Sequence, residues 1–273
     1  MDRPGFRVRM VWLWGLVPAI ALAEMVMQWR IPRQEPSSDE WKAAARAIGA
    51  EKGVNDLVVT APAWATQGRM SLGALVPVAD FGRFDTTRYD RVFEVSLNGA
   101  RAPETEGLPV ESEESFGRIA VRRYRLSPRA TVLYDFMQHL GEAHRENGGY
   151  TNPVLMIDHW FNPRFVMPVP LKRRTVALTF ENVPTGGVLR GYGLIGYRSG
   201  RFNKGGPVSL RVFVDGAHVG GASFRNFGPL EPFELALPGR QPATVRFEVS
   251  AVDNLSREFG LAADVRRKPG AAP

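Results

Sequence analysis

From Tyr150 to Val265 the chain breaks into eight short apolar runs. They are Val154–Ile157, Thr175–Phe180, Val188–Tyr197, Val208–Val214, His218–Phe224, Phe233–Leu237, Thr244–Ser250 and Phe259–Val265. Gly, Pro, Asn and Asp separate them, so no run continues into a long helix. Leu210, Val212 and Val214 alternate with Arg211 and Phe213, the period of a strand that buries one face. Asp215-Gly216, between two such runs, is the sequence of a two-residue hairpin turn. This many strands in so short a stretch predict a two-sheet β-sandwich of jelly-roll type over residues 150–268. The chain has no Cys, so the sandwich must be held by apolar burial and hydrogen bonding alone.

Residues 34–149 have a different texture and predict a small α/β domain. Ser38 or Asp39 is expected to cap a helix running to about Glu51, with Trp41, Ala44, Ala45 and Ile48 on one face. Gly53 stops it, and Leu57-Val58-Val59-Thr60-Ala61 follows as a buried strand ended by Pro62. Arg91–Leu97 predicts a second buried strand, parallel to the first, with a short helix over Gly68–Leu75 between them. Gly117–Leu126 reads as a further strand, with Thr131–Met137 as its hairpin partner and His139–Asn147 as a short helix. Glu94, amid apolar neighbours on the second strand, is expected to pair with Arg91.

Residues 1–33 form a third region. Met10–Trp29 is apolar, preceded by Arg3, Arg7 and Arg9 and followed by Arg30 and Arg33. Twenty helical residues span a bilayer core of about 30 Å. The N-terminal arginines would keep that end in the cytoplasm. The expectation is a single-pass inner-membrane anchor with the body in the periplasm. The alternative is a signal peptide cleaved after Ala23, giving a secreted protein. The architecture is thus read as α+β, mostly β: an N-terminal transmembrane helix, a small α/β domain, a jelly-roll sandwich, and a disordered tail over 269–273.

The net charge is +7, carried by 30 Arg against 5 Lys. The excess lies in the C-terminal half as scattered arginines rather than a continuous stripe, so no nucleic-acid partner is expected. Gly191-Tyr-Gly193-Leu-Ile-Gly196 matches a dinucleotide fingerprint, but that fingerprint works only between a strand and a helix. Here the glycines sit within a strand-like run and Ser199–Pro207 reads as loop. No cofactor is assigned. Asp135, His139, His144, Asp158 and His159 bring three of the four histidines within 25 residues. Proximity in sequence does not converge ligands on one point, so no metal site and no catalytic residue is assigned.

Two resemblances are carried by longer stretches. FENVPTGGVLRGYGLIGYRSGRFNKGGPVSLRVFVDGAHVG from Phe180, with PFELALPGRQPATVRFEVSAVDN from Pro232, resembles a carbohydrate-binding-module or galactose-binding-like jelly roll. DEWKAAARAIGAEKGVNDLVVTAPAWA from Asp39, with YDRVFEVSL from Tyr89, is similar to the extracytoplasmic region of bacterial GT-C membrane glycosyltransferases. Those enzymes keep their catalytic acids in a many-helix membrane region that this chain does not contain. The second resemblance therefore implies an accessory domain, with a membrane glycosyltransferase as a possible partner.

The candidate ligand-binding residues are Asp158, His159, Trp160, Tyr197, Arg198, Arg201, Phe202 and Asn203. An aromatic face binds the apolar side of a sugar ring, and Arg and Asn hydrogen-bond its hydroxyls. Tyr192 and Tyr197 are separated by an odd number of residues, so a regular strand would send them to opposite faces. The expected function is a non-catalytic binding or accessory role toward a cell-envelope glycan or glycolipid. The alternatives are a glycan-active enzyme using interdomain carboxylates such as Asp135 and Asp158, and a purely structural protein-interaction module.

Overall fold

The computed structural model describes residues 5–30, 35–63, 65–126, 131–171, 174–202, 205–239, 242–251 and 257–267. Helix α1 (Gly5–Arg30) contains Pro18 and carries Glu24. Among the described residues no helix is long and apolar enough to cross a membrane. The expected inner-membrane span with a periplasmic body is corrected on that finding. The tail at 269–273 lies outside the described residues.

Helix α2 (Ser38–Glu51) is capped one residue earlier than expected, by Ser37. Glu40 stands three residues further on, so the Ser37 hydroxyl accepts from the Glu40 amide at 3.3 Å while the Glu40 carboxylate accepts from the Ser37 amide. The helix buries Trp41, Ala44 and Ile48. Strand β1 (Asp56–Ala61), helices α3 (Thr66–Leu72) and α4 (Val78–Phe81), and strand β2 (Arg91–Leu97) follow. α3 lies against α2 because residue 68 is Gly: a Cβ there would stand 2.5 Å from the Trp41 ring. β1 and β2 are parallel, as expected, and strands β3 (Ser112–Phe116) and β4 (Ile119–Arg125) complete a sheet of order β1-β2-β4-β3.

Thr131–Met137 does not pair with that sheet. Its strand β5 (Val132–Asp135) joins the C-terminal strand of the chain, and the expected helix at 139–147 is a single 3₁₀ turn over Leu140–Glu142 followed by strand β6 (His144–Glu146). The reason is packing. Phe136, Met137, Leu140 and Ala143 are buried in the sandwich core, and Phe136 makes edge contacts with Phe180 and Phe247 at 4.9 Å between ring centroids. Strands β5 and β6, both N-terminal to residue 150, thus belong to the sandwich sheets.

The rest of the sandwich is β7 (Val154–Ile157), β8 (Pro163–Leu171), β9 (Val176–Val183), β10 (Val188–Ile195), helix α5 (Tyr197–Phe202), β11 (Val208–Val214), β12 (Ala217–Phe224), β13 (Phe233–Ala236), β14 (Ala243–Ala251) and β15 (Arg257–Arg266). One sheet runs β13-β10-β15-β8-β7 with β5 also on β15, and the other runs β12-β11-β14-β9-β6. In β14, Ala243, Val245, Phe247 and Val249 point inward while the intervening residues are half exposed. The β11–β12 turn has Asp215 at φ 48° and Gly216 at φ 81°, the left-handed pair such a hairpin needs.

Two local expectations are also corrected. α5 follows the glycine-rich strand where a loop was expected. The glycines of that strand make room for rings: a Cβ on Gly193 would meet Phe224, and one on Gly191 would meet Phe233. Glu94 is completely buried and does not pair with Arg91, which binds Asp56 instead. Glu94 accepts from the Ala102 amide at 2.7 Å, the Thr105 hydroxyl, Arg122 at 3.1 Å and the Tyr124 hydroxyl at 3.2 Å. Burial opposes its charge, but these donors outweigh burial and hold its carboxyl below the usual range. Its work is to fix the 100–105 loop.

Candidate functional site

The hairpin between β7 and β8 turns on Asp158. This residue is 1% exposed, and one carboxylate oxygen accepts from the Trp160 and Asn162 amides, both at 2.8 Å. The other oxygen accepts from Arg164 Nε at 3.0 Å. Asp158 therefore spends its hydrogen-bonding capacity inside the turn, as short polar side chains do when they organise tight loops. Phe161 is held at φ 63°, left-handed and costly by about 1–2 kcal/mol for a residue with a Cβ. A strained residue persists where its surroundings over-determine it. Here the Asp158 bonds do so, and the result is that Trp160 and Phe161 point outward, 72% and 67% exposed.

Other rings gather beside them. His159 lies between Trp160 and Phe227, with centroid separations of 5.0 and 6.0 Å. Phe227, in the loop after β12, is likewise left-handed at φ 56° and exposed. Phe161 meets Tyr197 at 4.7 Å, at the start of α5. Arg201 donates to the Tyr197 hydroxyl and lies 5.7 Å from its ring centre. These side chains form an aromatic ridge. On one side is a hollow of about 390 Å³ lined by His159, Phe224, Arg225, Phe227 and Glu231. On the other is a groove of about 560 Å³ lined by Val154, Leu155, Ile157, Phe161, Tyr197 and Arg198.

Of the residues expected at the site, His159, Trp160, Tyr197, Arg198 and Arg201 are brought together around this ridge. Asp158 is in the same turn as a positioning residue. Asn203 and the side chain of Phe202 lie outside the described residues. Sequence reasoning did not assign Phe161 and Phe227. Phe161 was legible as the neighbour of Trp160 in Asp158-His-Trp-Phe-Asn162; Phe227 in Asn226-Phe-Gly-Pro229 had only its turn-like surroundings to mark it.

Another concavity, of about 500 Å³, lies where the 80–89 segment of the α/β part meets β5, β10 and β15. Several of its aromatic and charged groups are paired across the junction. Tyr192 stacks on Phe84 at 4.7 Å, and its hydroxyl donates to Asp85 at 2.7 Å. Arg190 and Arg266 reach Asp85 at 3.3 and 3.5 Å, Arg266 also grips Asp264, and Arg88 pairs with Asp135 at 2.8 Å. Burial works against the charge on Asp85, but Arg266, the Tyr192 and Thr87 hydroxyls and Arg190 outweigh it and keep the carboxyl below its ordinary value. The Tyr192 hydroxyl is pushed up to about 12, first by burial. Asp264 is raised by burial despite Arg266. Tyr192 and Tyr197 thus serve different hollows. Asp135 and Asp158 likewise line different concavities, so they do not form one carboxylate pair. Among the described residues no group of three His, Asp or Glu side chains is placed to hold a metal ion.

No protein-family model and no curated protein matches the chain. Among solved structures it is similar to the CBM51-2 and INT domains of ZmpB from Clostridium perfringens, at 11% identity and a TM-score of 0.36, over 60% of this chain and 41% of that one. The CBM51 of Clostridium perfringens GH95, in complex with methyl-galactose, matches at 12% identity and 0.33, over 49% of this chain and 99% of that module. The CBM36-1 domain of a multidomain xylanase from the hindgut metagenome of Trinervitermes trinervoides matches at 13% and 0.31, over 52% and 100%. The chain therefore spans less than half of the ZmpB fragment it matches.

Proposed function

We propose that this protein is a glycan-binding accessory protein, and that the sugar lies on the ridge formed by Trp160, Phe161, Phe227 and Tyr197. The observation that carries this reading is the exposure of Trp160 and Phe161 at 72% and 67% on a turn locked by a buried carboxylate. Large aromatic side chains are normally covered, and a cluster held outward at the cost of left-handed backbone is placed for contact. Ring faces bind the C–H face of a sugar. His159, Arg225 and Glu231 beside them supply donors and an acceptor for its hydroxyls. The rigidity matters because a preformed site loses little entropy on binding. Cell-envelope glycans are the first ligands to try, and a glycan-building or glycan-cleaving enzyme is the natural partner of such an accessory.

Isothermal titration of the full chain against soluble cell-envelope glycan fragments tests the reading. Removing one stacking aromatic from the centre of a site costs about 2 kcal/mol, more than tenfold in Kd. Trp160→Ala is expected to weaken binding by that factor and leave the melting temperature in place. A glycan bound equally well by Trp160→Ala would put the sugar elsewhere.

A further inference from the structure

Among the described residues outside α1, seven of the eleven exposed large hydrophobic side chains are Tyr150, Val154, Leu155, Ile157, Trp160, Phe161 and Phe227. They sit at the ridge and along the apolar groove next to it. Contiguous exposed apolar surface of this kind marks a binding site. The groove is concave, and at about 560 Å³ it is in the range of small-molecule pockets rather than of a flat protein interface. Its walls are the β7 hairpin on one side and the start of α5 on the other, with β8 and β15 beneath: Pro168, Val169 and Phe259 form the floor. Among the described residues its charged lining is Arg198 and Glu258. The hollow across the ridge is different, with His159, Arg225 and Glu231 among its rings. Phe161 and Tyr197 in contact are the wall between a sugar on the ridge and the groove.

From this juxtaposition we infer that the ligand is a glycolipid: a sugar on the Trp160 ridge whose long apolar aglycone, an acyl or prenyl chain, lies in the groove along Val154, Leu155 and Ile157. The inference rests on the glycan reading above and adds a second subsite to it. A free sugar would leave the groove wet and its apolar lining exposed. A chain leaving the sugar on the Phe161 side enters the groove directly, and every methylene it buries there adds affinity. Affinity should therefore rise with aglycone length, and the rise should depend on the groove while the sugar contribution depends on the ridge.

The test is titration of the full chain with methyl and octyl β-D-glucopyranoside and β-D-galactopyranoside, below the micelle concentration of the octyl compounds. The octyl glycoside of the better sugar is expected to bind at least tenfold more tightly than its methyl counterpart. Ile157→Glu and, as a second groove variant at another exposed position, Val154→Glu should remove that advantage and leave methyl glycoside binding intact. Trp160→Ala should weaken both glycosides. Octyl and methyl glycosides of equal affinity, both lost in Trp160→Ala, overturn the lipid subsite and leave the glycan reading standing. Octyl binding that survives Trp160→Ala and ignores the sugar overturns both. Failure of both octyl glycosides to bind, or self-association in sedimentation that Ile157→Glu abolishes and octyl glycoside does not compete with, also overturns the subsite.

Discussion

Two of the concavities that bring aromatic and charged side chains together are built on opposite plans. At the junction of the α/β part with the sandwich, Asp85 takes Tyr192, Arg190 and Arg266, Arg88 takes Asp135, and Phe84 covers Tyr192. The groups there are paired to one another and hold two parts of one chain together. At the β7–β8 turn the buried Asp158 is taken up by the Trp160 and Asn162 amides and by Arg164, and the rings it positions, Trp160 and Phe161, stay largely exposed. A cluster of polar and aromatic residues in a cleft is therefore not enough to identify a site. The two differ in whether their polar groups are paired across the two parts of the chain or within one turn.

Breaking the scaffold side should have the largest effects. The segment joining β5 to β6 supplies Phe136, Leu140 and Ala143 to the sandwich core, so we propose that the independent all-β unit starts near Thr131. A fragment of residues 131–267 is expected to melt cooperatively by circular dichroism, and one of residues 150–267 is expected not to fold. In the full chain, Phe136→Ala should cost about 3–5 kcal/mol in urea unfolding, as buried aromatic truncations do.

Next in size is the junction. Asp85 is 15% exposed, accepts from the Tyr192 hydroxyl and faces two guanidinium groups; without it Arg266 keeps Asp264 and Arg190 keeps Glu234, so the loss is that of one largely buried charged acceptor, about 1–3 kcal/mol. Asp85→Asn is expected to lower stability by that amount while glycan affinity stays unchanged. The same residue sets a pH dependence. Its folded-state carboxyl is held below the ordinary 3.8, so the fold binds its proton less readily than the unfolded chain does. The stability it contributes is complete above that ordinary value and is lost as pH falls through the lowered one. The difference in unfolding free energy between the wild type and Asp85→Asn should therefore be constant near neutrality and shrink below pH 3.8. A difference that grows on acidification would mean Asp85 is not held ionised by Arg266 and Arg190. The smallest structural effect is expected at the ridge, where Trp160→Ala should change stability by no more than about 0.5 kcal/mol, the range for exposed positions.

The same contrast explains what could be read from the sequence. β11, β14 and the Asp215-Gly216 turn were legible because one buried face and one two-residue turn are local signals. The β1–β2 parallel pair was legible for the same reason: two short apolar runs separated by helix. β5 and β6 were not. Each is only a few residues long, and each is made a strand by a partner far along the chain, β15 and β9. At the site, the aromatic residues around Trp160 could be picked out by type. The role of Asp158 could not be settled from type, since a carboxylate beside rings fits a ligand contact and a turn lock equally well. Its spacing to Trp160 and Asn162 decides for the turn only once the backbone amides are seen to converge on it. The pairing of Asp85 with Tyr192 and Arg266 joins segments that no local pattern connects.

The central claim is that the ridge binds ligand and the junction only holds the chain together. It is tested most directly by titrating one cell-envelope glycan fragment into the wild type, Trp160→Ala and Asp85→Asn under identical conditions. The expected result is a loss of more than tenfold in Trp160→Ala and an unchanged Kd in Asp85→Asn. Full affinity in Trp160→Ala together with a loss in Asp85→Asn would contradict the account and move the binding site to the junction cleft.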